Sequence, residues 1–201
     1  PILIICILLL NICVSLGQEW TQKASLSGPG RRNPIFFELN GKILAGTGYN
    51  GGLLNDFYEY NPQGNAWIQI ANLPGASREG GIGLSVGNFG YAGLGWALSA
   101  NSSLRDLYKY DPILNTWTQV ANYPGAGGRV PFFVELNGKI YVGGGSNGTQ
   151  QPYPADFWEY DPNLNTWTQK ASFPFGGRSG GTFFKISGFI YFGLGNANGT
   201  A

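Results

Sequence analysis

The chain has 201 residues, with 12 Lys and Arg against 11 Asp and Glu, two Cys, no His and no Met. A net charge of +1 with both signs interspersed supplies no basic stripe for nucleic acid and no polybasic patch for anionic lipid. Without His the usual general base and the commonest transition-metal ligand are missing, while 33 Gly and 15% aromatic residues describe a turn-rich, aromatic-packed β protein.

Residues 1–17 differ from the rest. Ile2 to Leu10 is unbroken apolar sequence, too short for a membrane-spanning helix and already polar at Asn11. It fits the apolar core of a partial signal peptide, with small Ser15 and Gly17 before a cleavage site at Gln18. Both cysteines, Cys6 and Cys13, lie within it, so the expected mature chain has no disulfide or thiol chemistry. The expected location is secreted, periplasmic or cell-surface, with no membrane insertion after cleavage.

From residue 18 the chain repeats. Trp20, Trp67, Trp117 and Trp167 are spaced 47, 50 and 50 residues apart, and each is followed by Thr or Ile, then Gln, then an Ala two further on. Eleven or twelve residues past each Trp stands an Arg: Arg31, Arg78, Arg129 and Arg178. Later come paired glycines (Gly46 and Gly48, Gly93 and Gly95, Gly143 and Gly145, Gly193 and Gly195), an Asp (Asp56, Asp106, Asp156), and a Tyr with Pro two beyond (Tyr60, Tyr110, Tyr160). A fixed period of this length marks an array of one supersecondary unit.

Four strand signals fall in each unit. In the third they are 130–136, 139–143, 156–160 and 166–171, rich in β-branched and aromatic residues. Asn40-Gly41 and Asn137-Gly138 join the first pair in their units, where a two-residue hairpin needs positive φ. Four-stranded meanders that bury their faces on one another, repeated radially, predict an all-β fold, a β-propeller of antiparallel blades. The expected boundaries are a leading outer strand at 18–24, blades at about 31–71, 78–121 and 129–171, and a partial blade at 178–201. That is about three and a half blades, an incomplete ring.

The glycine pair after a short apolar strand, then Asp-x-x-x-Tyr-Asp-Pro, then Trp seven residues past the Tyr, resembles the kelch repeat over nearly all of Gln18 to Ala201. Two departures are Gly-x-Gly in place of adjacent glycines, as in Gly46-Thr47-Gly48, and Asn61 in place of Asp. The resemblance implies blades of four antiparallel strands. It fixes no activity, because the family is functionally diverse.

Length differences between units fall in the loop after the second strand: Gly46 to Asp56 is 10 residues, Gly93 to Asp106 and Gly143 to Asp156 are 13. Variable loops on one face of a rigid scaffold are where binding resides, so the function expected is a secreted, non-catalytic module recognising a glycan or protein through the loops after strands two and four. Candidate ligand-binding residues are Trp96, outside the repeat phase, with Asn101 in its loop; Asn147 and Tyr153 in the next; and Arg31, Arg78, Arg129 and Arg178 as a collar for an anionic ligand such as an acidic sugar. Packing is the competing role for each. No catalytic or metal site, cofactor, nucleic-acid partner or oligomeric state is read from the residues. The alternative is an exported sugar-active enzyme, which by resemblance to kelch-bearing sialic-acid epimerases would use channel Arg and Glu, here Arg31, Arg78, Arg129 and Glu79.

Overall fold

The structure, a computed structural model, describes residues 20–98, 102–148 and 152–197. The expected signal segment 1–17 and Asn101 lie outside the described residues. The first blade is a meander of β1 (Ile35–Leu39), β2 (Lys42–Gly46), β3 (Phe57–Asn61) and β4 (Ala66–Ile70), hydrogen-bonded in that order. The second contains β5 (Ile82–Val86) and β6 (Phe89–Gly93), a short ribbon of β7 (Trp96–Ala97) with β8 (Ser102–Ser103), then β9 (Leu107–Asp111) and β10 (Thr116–Val120). The third is β11 (Phe132–Leu136), β12 (Lys139–Gly143), β13 (Phe157–Asp161) and β14 (Thr166–Lys170). Beyond it, β15 (Arg178–Ser179) pairs with β18 (Asn196–Ala197), flanking the hairpin of β16 (Thr182–Ile186) and β17 (Phe189–Gly193).

The innermost strands β1, β5, β11 and β16 pack successively on one another, as blades around an axis require. The predicted hairpins form, with Asn40 and Asn137 at φ 52° and 53° and Gly41 and Gly138 at 77°. Alternation then buries Ile35, Phe37 and Leu39 of β1 and turns Phe36 and Glu38 outward.

Two rows of backbone bonds stitch blade to blade near the axis. Gly80, Val130 and Gly180 each donate N–H to the carbonyl of the same position one blade earlier, Asn33, Gly80 and Val130, at 2.7–3.0 Å. Gly48, Gly95 and Gly145 donate to Arg78, Gly128 and Arg178 of the next unit at 2.6–2.8 Å. These glycines have φ 96°, 93° and 83°, and a Cβ on each would stand 2.7–2.9 Å from a backbone carbonyl. That is why the second glycine of each pair recurs.

The tryptophans close the outer rim. Trp67, Trp117 and Trp167 donate Nε1–H at 2.9 Å to the carbonyls of Ala24, Ala71 and Ala121, one unit back. Their rings lie 4.8–5.1 Å from Tyr60, Tyr110 and Tyr160 of the same blade. Asn65, Asn115 and Asn165, at positive φ, each accept the same blade's Tyr hydroxyl and the N–H of that same Ala.

Two strand expectations shift. Pro131 has no N–H and Val130 sits at φ 44°, so β11 starts two residues later than expected. Trp20–Ala24, expected as a strand, carries none: Trp20 is fully exposed, and only Ala24 is held on the first blade. No described strand lies alongside to complete a ladder.

On the outer strands of blade three, burial pushes the Glu159 carboxyl up, but donors from Lys170, Lys139 and Tyr141 outweigh it and hold it at about 2. A depressed carboxylate adds stability above its unfolded value near 4.5, lost as pH falls towards 2. Glu159→Gln therefore flattens the acid limb of stability between pH 4.5 and 2, by about 1 kcal/mol after solvent screening, read by urea unfolding at each pH.

Candidate site at the loop-face mouth

Counting back from the start of each innermost strand separates the arginines into two registers. Eleven residues past Trp stand Arg31, Arg78, Gly128 and Arg178; twelve past stand Arg32, Glu79, Arg129 and Ser179. Arg129 is thus not the counterpart of Arg31 and Arg78.

The first register holds the blades together. Arg31 grips Asp56 with two bonds of 2.5 and 2.9 Å, and Arg78 grips Asp106 with two of 2.7 Å. Each also donates to carbonyls, Thr47 and Pro29 for Arg31, Leu94, Ala76 and Pro74 for Arg78. With side chains 4% and 0% exposed, they form no collar, because their fork is spent on their own blade. Arg178 donates to Leu194, with its guanidinium 5.5 Å from the Phe175 ring. At Gly128 a Cβ would stand 2.2 Å from the Leu104 carbonyl, so no arginine fits. Asp156 instead accepts from Trp158 and Ala126.

The second register faces the channel mouth. Each member bridges to the residue after the second glycine: Arg32 to Tyr49, Glu79 to Trp96, Arg129 to Ser146, and Ser179 to Asn196. Trp96 is therefore in phase, at the position of Tyr49 and Ser146, contrary to the reading from Trp spacing. The Glu79 side chain is 3% exposed. Its Oε1 accepts from Arg129 Nη2 at 3.0 Å, its Oε2 from Asn33 at 3.1 Å, and Arg32 Nε lies 3.6 Å from Oε2. One buried carboxylate thus anchors two arginines from flanking blades, and the cluster keeps one net positive charge.

Both guanidinium groups are backed by rings, Arg32 at 4.4 Å from the Tyr49 centroid and Arg129 at 5.2 Å from that of Trp96. Beside them lies a hollow of about 240 Å³ lined by Asn33, Arg129, Val130, Ser146, Tyr153 and Ser179. Val130 at positive φ stores backbone strain in its wall, of a kind that clusters at ligand sites. Asn33 and Val130 also border an apolar hollow of about 510 Å³ down the inner strands, walled by Phe36, Phe133 and Phe183.

Of the expected residues, Trp96, Arg129 and Tyr153 meet here, with Asn147 exposed one residue beyond Ser146. Arg31, Arg78 and Arg178 do not. Arg32 went unread because counting from Trp stops at its neighbour. Among the described residues no His, Cys, Asp and Glu cluster could hold a metal ion, and no helix is long and apolar enough to cross a membrane.

Stacked four-stranded meanders with a polar mouth on the variable-loop face define a β-propeller. The kelch motif family matches residues 133–174. An N-acetylneuraminate epimerase from Pasteurella multocida (strain Pm70) is 31% identical over 75 residues, covering 34% of this chain and 19% of that protein. The solved structure titled "Structure of YjhT" superposes with a TM-score of 0.73 at 17% identity, over 85% of this chain and 59% of that one. The chain thus carries a kelch motif at residues 133–174 and shares the fold of that solved structure. It spans under two thirds of either protein's length.

Proposed function

We propose that this chain is an exported recognition module that binds an acidic glycan at the loop-face mouth. The observation that carries the reading is the pair Arg32 and Arg129, fixed on buried Glu79 and backed by Tyr49 and Trp96. Their remaining N–H groups suit a sugar carboxylate, since a planar fork binds it in bidentate fashion and a pre-oriented one loses less entropy. Ser146, Ser179 and Tyr153 supply hydroxyls around the hollow for sugar hydroxyls. Export rests on the apolar run Ile2 to Leu10, and fusing residues 1–30 to a reporter tests it by its appearance outside the cytoplasm.

A glycan array probed with the full chain should retain sialylated and uronic-acid glycans and pass their neutral counterparts. Equal retention of both sets, or of neither, overturns the reading.

A second reading, an epimerase-type activity, is favoured by the carboxylate Glu79 at the mouth and by the named activity of the relative that matches over 75 residues. Recognition ranks first because the Glu79 side chain is 3% exposed and its two oxygens accept from Arg129 and Asn33, so the carboxylate is turned towards its own neighbours and supports the Arg129 fork. Accelerated interconversion of N-acetylneuraminate anomers, lost in Glu79→Gln, would reverse that order.

A further inference from the structure

On the opposite face, where the tight turns lie, the second blade breaks a charge pattern. Blade one carries Lys42 on Glu59 at 2.7 Å. Blade three carries Lys139 on Glu159 at 2.9 Å, with Lys170 also at 2.9 Å. Cross-strand register aligns Leu44 with Glu59, Tyr91 with Lys109, and Tyr141 with Glu159. The lysine place in blade two is therefore Phe89, and the glutamate place is Lys109. The Lys109 ammonium lies 3.5 Å from the Phe89 ring centroid and has no carboxylate partner and no hydrogen bond among the described residues.

This cation borders a groove of about 350 Å³ between blades two and three. The groove is walled by Val86, Phe89 and Tyr91 on one side and Gly138, Pro162 and Asn163 on the other. An ammonium with one side against an aromatic face and no counter-ion favours an incoming anion, since the pair is then partly desolvated and charge-assisted. The walls are aromatic and prolyl, and Leu164, next to Asn163 in the same turn, is 71% exposed. Aromatic, prolyl and leucyl side chains of that kind match the apolar residues of an extended peptide, and Asn163 can pair with its backbone.

We propose that this groove docks a protein partner through an extended acidic peptide segment, its carboxylate on Lys109 and a neighbouring apolar or prolyl residue against Phe89, Tyr91 and Pro162. Charge complementarity selects the occupant. The site is independent of the mouth, being formed by turns that cap the other ends of the strands.

The test titrates the ¹⁵N-labelled full chain with acetyl-Leu-Glu-Pro-Leu-amide and with its Gln counterpart, following amide resonances. The Glu peptide should shift Gly87, Asn88 and Gly138 saturably, and the Gln peptide should bind about tenfold more weakly. Lys109→Met, which keeps an apolar stem over Phe89 at this partly buried position, should retain the dispersed spectrum and erase that difference. Equal binding of the two peptides, shifts confined to the mouth, or no shift overturns the proposal. Saturable shifts of the same amides by glucuronate and not by the Glu peptide would also overturn it, assigning the groove to saccharide.

Discussion

Arg78→Ala will destabilise the chain by about 3–5 kcal/mol, the cost of breaking a buried ion pair by removing one partner. The side chain is fully buried, and its five N–H groups reach Asp106 and the carbonyls of Leu94, Ala76 and Pro74. One residue thereby ties the segment before β5, the end of β6 and the start of β9. Its loss strands a carboxylate and three carbonyls around a void. Arg78→Lys keeps the charge but not the fork and should recover only part of the loss. Asp156→Asn in blade three should cost far less, because no arginine stands opposite Asp156. Urea unfolding followed by tryptophan fluorescence reads all three; a loss below about 1 kcal/mol for Arg78→Ala would remove the structural role assigned to the first register.

Trp117→Ala should cost a similar amount, about 3–5 kcal/mol, the range for truncating a large aromatic in a core. The ring bridges two blades, 4.8 Å from Tyr110 in its own and 5.1 Å from Phe57 in the first, and its Nε1–H satisfies Ala71. Trp117→Phe retains most of the packing and should forfeit chiefly the hydrogen bond, about 1 kcal/mol. Trp20 opens the same phrase but is fully exposed, so Trp20→Ala should be near neutral. The contrast separates burial from repeat membership as the source of the effect. Similar losses for Trp20 and Trp117 would contradict the packing described.

The fold was legible because one period carried turn, strand and packing signals in the same phase. Asn137-Gly138 has the predicted left-handed backbone, and the tryptophans pack on the tyrosines that share their period. Asn65, Asn115 and Asn165 went unread, although each stands two before its Trp, because an Asn in a turn reads as turn chemistry alone. Their side chains also anchor the neighbouring unit, a contact between residues more than 40 positions apart. The site was legible only in part. Allowing the Arg offset to be eleven or twelve merged Arg129 with Arg31 and Arg78, though Gly128 fills the shared place. What distinguishes them is the Leu104 carbonyl against Gly128, a contact formed by a variable loop and absent from the repeat pattern.

The arginines divide into Arg31 and Arg78, which brace blades, and Arg32 and Arg129, which the proposed acidic ligand would meet. Thermal unfolding with and without N-acetylneuraminate or glucuronate, with glucose as the neutral control, tests it on wild type and Arg129→Gln. Wild type should melt higher with either acidic sugar and unchanged with glucose, since a ligand that binds the folded state stabilises it. Arg129→Gln, whose side chain is 36% exposed and whose amide can still donate to Glu79 beside Asn33 and Arg32, should melt somewhat below wild type without sugar and lose the increase. An undiminished increase in Arg129→Gln would contradict the assignment of the mouth as the ligand site.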